Sequence, residues 1–358
     1  MGQYWRMRIV SLLPSATEII YALGLGEHLV GVTDECDWPP QARTVQVVSR
    51  SALPAVAEPA EIDRLVSASI GGGQPIYQLD TQAIGDLRPD LVLAQDLCAV
   101  CAVPSGHVNQ ALDVLGCQAE VISLDPSSLD EVLEGVLQVG KAAGVQDRAG
   151  EVVAGLRERL ASVQAAVEGL ERPRVFALEW GDPPFNGGHW VPGMLQFAGG
   201  EAVLACPGAP SVRVTWAQIA AAAPQVVVFM PCGYDLQAAV EEATRILLAR
   251  PELTGVEAIV AVDASAFCSR PGPRLVDGVE VLAGALHPER LPHHQRAPPC
   301  DSRHDRSGEA LIRSPICLGT FRPNLGTLPR TSDLVVGEAR PVGRHLRTNA
   351  YRCRPNWS

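Results

Sequence analysis

Short apolar runs rich in Val, Ile and Leu alternate along the chain with stretches whose apolar residues recur every three or four positions. The first pattern predicts buried strands, and the second predicts helices that pack one face on a core. Alternation of the two is typical of parallel sheets built from βαβ units. The pattern therefore predicts an α/β fold.

The predicted strands fall into two series. The first series comprises residues 8–13, 29–32, 91–94 and 121–124, and the second comprises residues 174–178, 226–230 and 259–263. In each series a proline, Pro89 or Pro224, stands just before a buried strand. This internal similarity at large spacing predicts two related lobes.

A helical stretch separates the two series. Ser127 or Ser128 is expected to cap a helix from Leu129 to about Ala143, and a second helix follows the break at Gly144. The two helices are either surface helices of one domain or a rigid spine between lobes. We favour the spine.

The resulting division has four parts: an N-terminal α/β lobe (8–126), a helical spine (127–171), a C-terminal α/β lobe (172–288) and a tail (289–358). The tail lacks periodicity and holds twelve Arg against six acidic residues. Its composition predicts a mostly disordered basic extension.

Charge and hydropathy restrict the class of protein. The net charge of −11 argues against a nucleic-acid binder, which needs clustered Lys and Arg. No apolar run approaches the 18 residues of a membrane span. The first 18 residues lack a signal-peptide pattern, so we expect a cytoplasmic protein, or a periplasmic one if the true start lies upstream. We also expect a monomer.

Two loops of the first series are expected at the carboxyl edge of the sheet, where open α/β folds bind ligands. Ser15 either caps a helix, with Glu18 three residues on, or faces a ligand. Trp38 follows the second strand and offers a stacking wall for a flat ligand.

Three cysteines raise a second kind of chemistry. Cys98 and Cys101 form a C-x-x-C, and Cys36 lies in the neighbouring loop. The set predicts either a zinc, iron or redox site or structural thiols near the ligand.

In the second series, aromatic residues crowd the loop after residue 178. Phe185 and Trp190 either line a broad, partly apolar site or form a small aromatic core under the loop. After the last strand come Phe267, Arg270 and Arg274. These arginines either meet anionic groups of a ligand or pair with acidic residues of the first lobe. Two common hydrolase motifs, H-E-x-x-H and G-x-S-x-G, are absent, so the sequence does not favour a hydrolase.

Six segments taken in order carry a family resemblance. They are residues 9–18, 36–42, 88–93, 182–185, 198–201 and 269–274. Together they resemble the iron-siderophore and cobalamin class of periplasmic binding proteins, most closely its signal-less cobalamin-binding branch, over residues 8–287.

The resemblance implies two Rossmann-like lobes joined by a long helix, with a ligand in the cleft. It places Trp38 and Phe185 at aromatic positions of the cobalamin site and makes a corrinoid the expected ligand. The ligand-binding candidates are Ser15, Trp38, Phe185, Trp190, Phe267 and Arg270. The alternatives are a metal-dependent or redox enzyme using Cys36, Cys98 and Cys101, and an exported siderophore or haem receptor.

One departure from the family concerns its transporter. Exported members dock onto an ABC permease through a surface Glu on each lobe, and Gln82 and Ala217 occupy those positions here. We therefore do not expect permease docking.

Overall fold

The protein is described by a computed structural model. It covers residues 7–53, 59–71, 76–96, 106, 108, 112, 118–247, 250–291 and 318–321. The chain forms two compact units: unit 1 is Met1–Ala165 with Ala266–Glu280, and unit 2 is Ala166–Ser265 with Val281–Ser358. The predicted metal ligands Cys98 and Cys101 lie outside the described residues, as does most of the predicted tail.

Unit 1 contains a six-stranded sheet in the order β4-β3-β2-β1-β5-β6. Its strands are β1 (Ile9–Ser11), β2 (Leu29–Thr33), β3 (Val47–Ser51), β4 (Tyr77–Leu79), β5 (Leu91–Ala94) and β6 (Glu120–Ser123). Neighbouring strands are parallel except β3 with β4. The strand order reverses at β1, and open α/β sheets bind ligands at the carboxyl ends of strands beside such a point.

In the described part of unit 1, helices connect the strands and follow the last of them. They are α1 (Pro14–Ala22), α2 (Pro59–Gly71), α3 (Thr81–Leu87), α4 (Leu129–Ala142) and α5 (Gln146–Val167), whose last two residues belong to unit 2. Ser128 caps α4 by accepting a hydrogen bond from the Glu131 N–H at 3.3 Å. The predicted helix pair is thus confirmed, with Ser128 as the cap.

Unit 2 contains a sheet in the order β12-β11-β10-β7-β8, with β9 paired to β7. Its strands are β7 (Arg174–Gly181), β8 (Pro184–Asn186), β9 (Glu201–Ala202), β10 (Val226–Phe229), β11 (Ala258–Val262) and β12 (Leu318–Phe321). The pairs of β7 with β10 and of β10 with β11 are parallel. Strand β8 pairs antiparallel with β7, and β12 pairs antiparallel with β11. Strand β12 lies in the stretch predicted to be disordered, and it covers the otherwise open edge of β11.

Helices α6 (Val191–Phe197), α7 (Trp216–Ala222) and α8 (Leu236–Ile246) belong to unit 2. Helices α9 (Ala264–Phe267) and α10 (Leu275–Leu286) each contribute residues to both units. Short 3-10 turns occur at Gly26–His28, Pro40–Thr44 and Pro251–Leu253. None of the helices in the described part of the chain is long and apolar enough to cross a membrane.

One stretch differs from the predicted division. Residues 172–288 were expected to form one lobe, but Ala266–Glu280 belongs to unit 1. Polar contacts explain this grouping, because Arg159 of α5 donates hydrogen bonds to Glu280 at 2.8 Å and to Asp277. The segment therefore brings Phe267, Arg270 and Arg274 to unit 1.

Candidate functional site

The site in unit 1 forms where β1 and β2 end. Because these strands are parallel neighbours, their carboxyl ends lie side by side. β1 leads into α1, which carries Glu18, and β2 leads into the loop that carries Asp37 and Trp38. The Ala266–Glu280 segment supplies the remaining groups.

Arg270 is bound by groups of the protein itself. Its Nη1 lies 2.5 Å from Asp37 Oδ1 and 3.7 Å from Glu18 Oε1, and its Nη2 donates a hydrogen bond to the Glu35 carbonyl at 3.2 Å. Of the two interpretations of this arginine, pairing with acidic residues of the first lobe is the one that the structure shows. Only 15% of the side chain is exposed.

Arg274 joins the charged groups to the aromatic ones. Its guanidinium lies 4.6 Å from the centroid of the Trp38 ring and 5.5 Å from that of Phe267, within the range of cation–π contacts. Its Nη1 lies 3.5 Å from Glu18 Oε1. Both rings are half-buried. The structure thus brings the predicted wall residues Trp38 and Phe267 together around one guanidinium.

Glu18 is the buried acid of this group. Its side chain is 3% exposed, and its Oε2 has no hydrogen-bond partner. Burial raises the pKa of the Glu18 carboxyl to about 7, although Arg274 and Arg270 oppose the rise. Gly272 covers Oε2, since a Cβ on this glycine would lie 3.5 Å from that oxygen. Glu18 therefore titrates near neutral pH, in contact with both arginines.

Ser15 lies on the same helix but does not cap it. Helix α1 begins at Pro14, and its N-cap is Leu13, which makes no side-chain cap hydrogen bond. Proline is favoured in the first helical turn, so the helix begins at Pro14, one residue before Ser15. Ser15 is therefore a helical residue, and its side chain is buried. The expectation of a Ser15 cap was wrong, and its ligand role stays a prediction.

Cys36 belongs to a buried network of hydroxyl and thiol groups. Its Sγ lies 3.1 Å from the Thr17 hydroxyl and 3.2 Å from the Thr33 hydroxyl. Burial raises the pKa of the Cys36 thiol, although both hydrogen bonds oppose the rise. Metal binding and redox chemistry need the thiolate. The environment therefore favours a structural role, and among the described residues no cluster of three potential ligands is placed to hold a metal ion.

We expect Cys36 to resist alkylation in the native protein. Cys232 is exposed, so it serves as the internal reference. Brief treatment with iodoacetamide followed by peptide mapping should label Cys232 at least tenfold more than Cys36, because burial shields Cys36 from the reagent and its raised pKa disfavours the reactive thiolate. Equal labelling of the two in folded protein would contradict the structural role.

In unit 2, Phe185 and Trp190 have different surroundings. Phe185 is half-buried in β8, with the Arg213 guanidinium 5.6 Å from its ring centroid. Trp190 is 8% exposed and stacks on His189 at 5.6 Å. Burial makes Trp190 part of the core beneath the loop, whereas Phe185 keeps a surface that a ligand can reach.

Sequence reasoning missed an aromatic pair at the carboxyl edge of the unit 2 sheet. Trp180, near the end of β7, packs edge-to-face on Tyr234, which follows β10, with centroids 5.9 Å apart. Parallel pairing of β7 with β10 brings the two together. The position of Tyr234 after a buried strand was the available signal, by the rule that identified Trp38.

Glu179 fixes the loop beside this pair. The Ser211 hydroxyl and the Gly188 N–H, the latter at 3.4 Å, donate to its carboxylate. Burial raises the pKa of Glu179. A Cβ on Gly188 would overlap the Ser211 backbone N, so only glycine lets the two loops approach this closely.

We expect Gly188→Ala to lower the free energy of unfolding of unit 2 by at least about 1 kcal/mol, because backbone atoms must move to admit the methyl group. Gly193→Ala is the matched control, since its Cβ would meet nothing within 4 Å and it lies within α6. Urea unfolding measures both. Equal stability of the two variants would contradict the close approach.

The sequence is similar to proteins of one known family. The sequence profile described as periplasmic binding protein matches residues 9–261. An uncharacterized ABC transporter substrate-binding lipoprotein of Bacillus subtilis (strain 168) is 26% identical over 289 residues, which cover 79% of this chain and 80% of the relative. The vitamin B12-binding protein of Vibrio cholerae serotype O1 is 25% identical over 285 residues, which cover 78% of this chain and 88% of the relative.

A solved structure shows the same fold. The periplasmic heme binding protein from Pseudomonas aeruginosa matches with a TM-score of 0.60 and 22% identity, covering 79% of this chain and 94% of that structure. The two-lobed α/β architecture expected from the sequence is confirmed.

Proposed function

Because the chain belongs to the periplasmic binding protein family, we propose that it binds a corrinoid such as cobalamin and does not catalyse a reaction. The family makes it a solute-binding protein of the group that takes vitamin B12, siderophores or haem. Within this group of ligands, we propose a corrinoid.

The packing of Trp38 and Phe267 on Arg274 is the observation that carries the proposal. Two half-buried rings held by a guanidinium provide flat apolar contact that is fixed before a ligand arrives. The arginines beside them are already paired with Glu18 and Asp37. A large flat ring with an uncharged, amide-bearing edge suits this surface, and a corrinoid has that shape and chemistry.

The test is co-elution. Purified full-length protein is mixed with cyanocobalamin and passed over a gel-filtration column, with haemin and a ferric siderophore in parallel runs. We expect about one equivalent of corrin absorbance in the protein peak, and none after heat denaturation of the same sample. Retention of haemin or siderophore but not corrinoid would contradict the choice of ligand.

The partner stays a prediction. The name of the Bacillus subtilis relative suggests an ABC permease as the partner. The residues at the two expected docking positions argue against docking onto a permease. Gln82 and Ala217 are both exposed, each the second residue of its helix, and neither carries the carboxylate of the exported proteins. The cytoplasmic location likewise stays a proposal, and cell fractionation with an antibody to the protein tests it.

A further inference from the structure

Two guanidinium groups and two carboxylates lie together at the carboxyl edge of the unit 1 sheet. Arg270 is within 4 Å of both Asp37 and Glu18, and Arg274 is within 4 Å of Glu18. When all four groups are ionised, their charges cancel. The exposed parts of the arginines, 15% and 18% of their side chains, therefore present no net charge to a ligand.

The two carboxylates are not equivalent. Asp37 is 44% exposed, so water screens its charge, whereas Glu18 is 3% exposed. Glu18 Oε1 faces both arginines, and its Oε2 has no partner. Asp37 has the larger effect on Arg270, but Glu18 is the carboxylate of the pair that lies within 4 Å of both guanidinium groups. Its charge is buried and therefore acts through a medium of low dielectric constant.

We infer that Glu18 determines the charge selectivity of the ligand site: by holding Arg270 and Arg274, it disfavours flat ligands that carry carboxylates and leaves uncharged ones free to bind. The inference rests on the proposed function, in which the ligand packs on Trp38 and Phe267. If a ligand carboxylate paired with the two arginines, Glu18 would be left as a buried charge without a partner. The free-energy cost of that unpaired charge opposes binding.

The same arrangement makes the selectivity depend on pH. The charged groups that face Glu18 are Arg274 and Arg270, which favour its ionised form, and Asp37, which disfavours it. Burial outweighs the arginines and brings the pKa of Glu18 to about 7. Protonation as the pH falls through this value removes one negative charge and leaves the group with one excess positive charge. Affinity for an anionic ligand should therefore rise below pH 7, and affinity for a neutral one should not follow.

Haemin and haemin dimethyl ester are the matched probes, because the ester removes the two carboxylates and keeps the ring. Their affinities are measured by tryptophan quenching at pH 6 and pH 8, for the parent chain, Glu18→Gln and the control Glu61→Gln. Glu61 is exposed and pairs with Arg64 in α2, away from the candidate site. Its replacement by Gln removes one negative charge, as Glu18→Gln does. Thermal unfolding confirms that each variant is folded.

At pH 8 we expect the ratio of haemin to ester affinity to rise at least tenfold in Glu18→Gln and to stay within twofold in Glu61→Gln. In the parent chain, the ratio of haemin to ester affinity should be higher at pH 6 than at pH 8. In Glu18→Gln, this ratio should be the same at both pH values. A purely structural Glu18 would change both affinities equally, and this outcome overturns the inference. If Glu18→Gln does not fold, the pH dependence of the parent chain tests the inference. An equal ratio of haemin to ester affinity at pH 6 and pH 8 then overturns the inference.

A parallel titration with cyanocobalamin separates the two proposals. Failure of the parent to bind it contradicts the proposed corrinoid function, whatever the haemin ratios are. A shift of the ratio in Glu18→Gln supports the inference even then, and an unchanged ratio overturns it even if cyanocobalamin binds.

Discussion

We expect Trp38→Ala to weaken binding of the proposed corrinoid by ten- to a hundredfold, because the ligand would lose an aromatic wall in unit 1. Removal of an aromatic wall costs about 1.5 to 3 kcal/mol of binding free energy, and each factor of ten in affinity corresponds to about 1.4 kcal/mol. Arg274 also loses the ring on which it packs at 4.6 Å. Isothermal titration with cyanocobalamin measures the change.

Trp216→Ala is the matched control for this variant. Trp216 carries a similar cation–π contact, with the Arg250 guanidinium 4.4 Å from its ring centroid, but it lies in unit 2 against the core. We expect this variant to lose stability and to keep the parent affinity within threefold. Equal loss of affinity in both variants would mean that Trp38 acts through general stability and not through contact with the ligand.

Phe176→Ala lowers the free energy of unfolding of unit 2 by about 3 to 5 kcal/mol, the usual cost of truncating a buried Phe. The ring is fully buried in β7 and packs in the same core cluster as Phe229 and Ile259, so the surrounding sheet cannot collapse into the space. Urea unfolding followed by tryptophan fluorescence measures the change, with the transition of unit 2 fitted separately.

Val212→Ala is the control for the core variant. Half of Val212 is exposed, so its truncation should alter stability by no more than about 0.5 kcal/mol. A loss below about 1 kcal/mol in Phe176→Ala would show that this part of the core is less well packed than the structure indicates.

The strands that were predicted correctly are those with continuous apolar runs. Leu91–Ala94 and Val226–Phe229 are buried central strands, and their sequences alone predict them. Val47–Ser51 and Tyr77–Leu79 were missed, because polar residues interrupt the first and the second has only three residues in an antiparallel edge pair. Such strands form where a neighbour offers an open edge, which local sequence does not show.

For the candidate site, the sequence indicated which residues to consider, but it did not indicate which of them interact. The rule that ligands gather at the carboxyl ends of strands selected Trp38, Phe267 and Arg270, which the structure places in one group, and their ligand role stays a prediction. Pairing of Arg270 with acidic residues of the first lobe was one of two alternatives, but its partners Asp37 and Glu18 were not identified, because contacts between residues more than 230 positions apart depend on tertiary packing. Glu18 was interpreted only as a helix-start residue, although a Glu among the apolar residues Ile19 and Ile20 was a visible anomaly.

Isothermal titration of the purified full-length protein with cyanocobalamin tests the central claim most directly. We predict one site per chain and a dissociation constant in the micromolar range or tighter, with a negative heat-capacity change from burial of apolar surface on the aromatic rings. Absence of binding at micromolar concentrations of folded protein would contradict it.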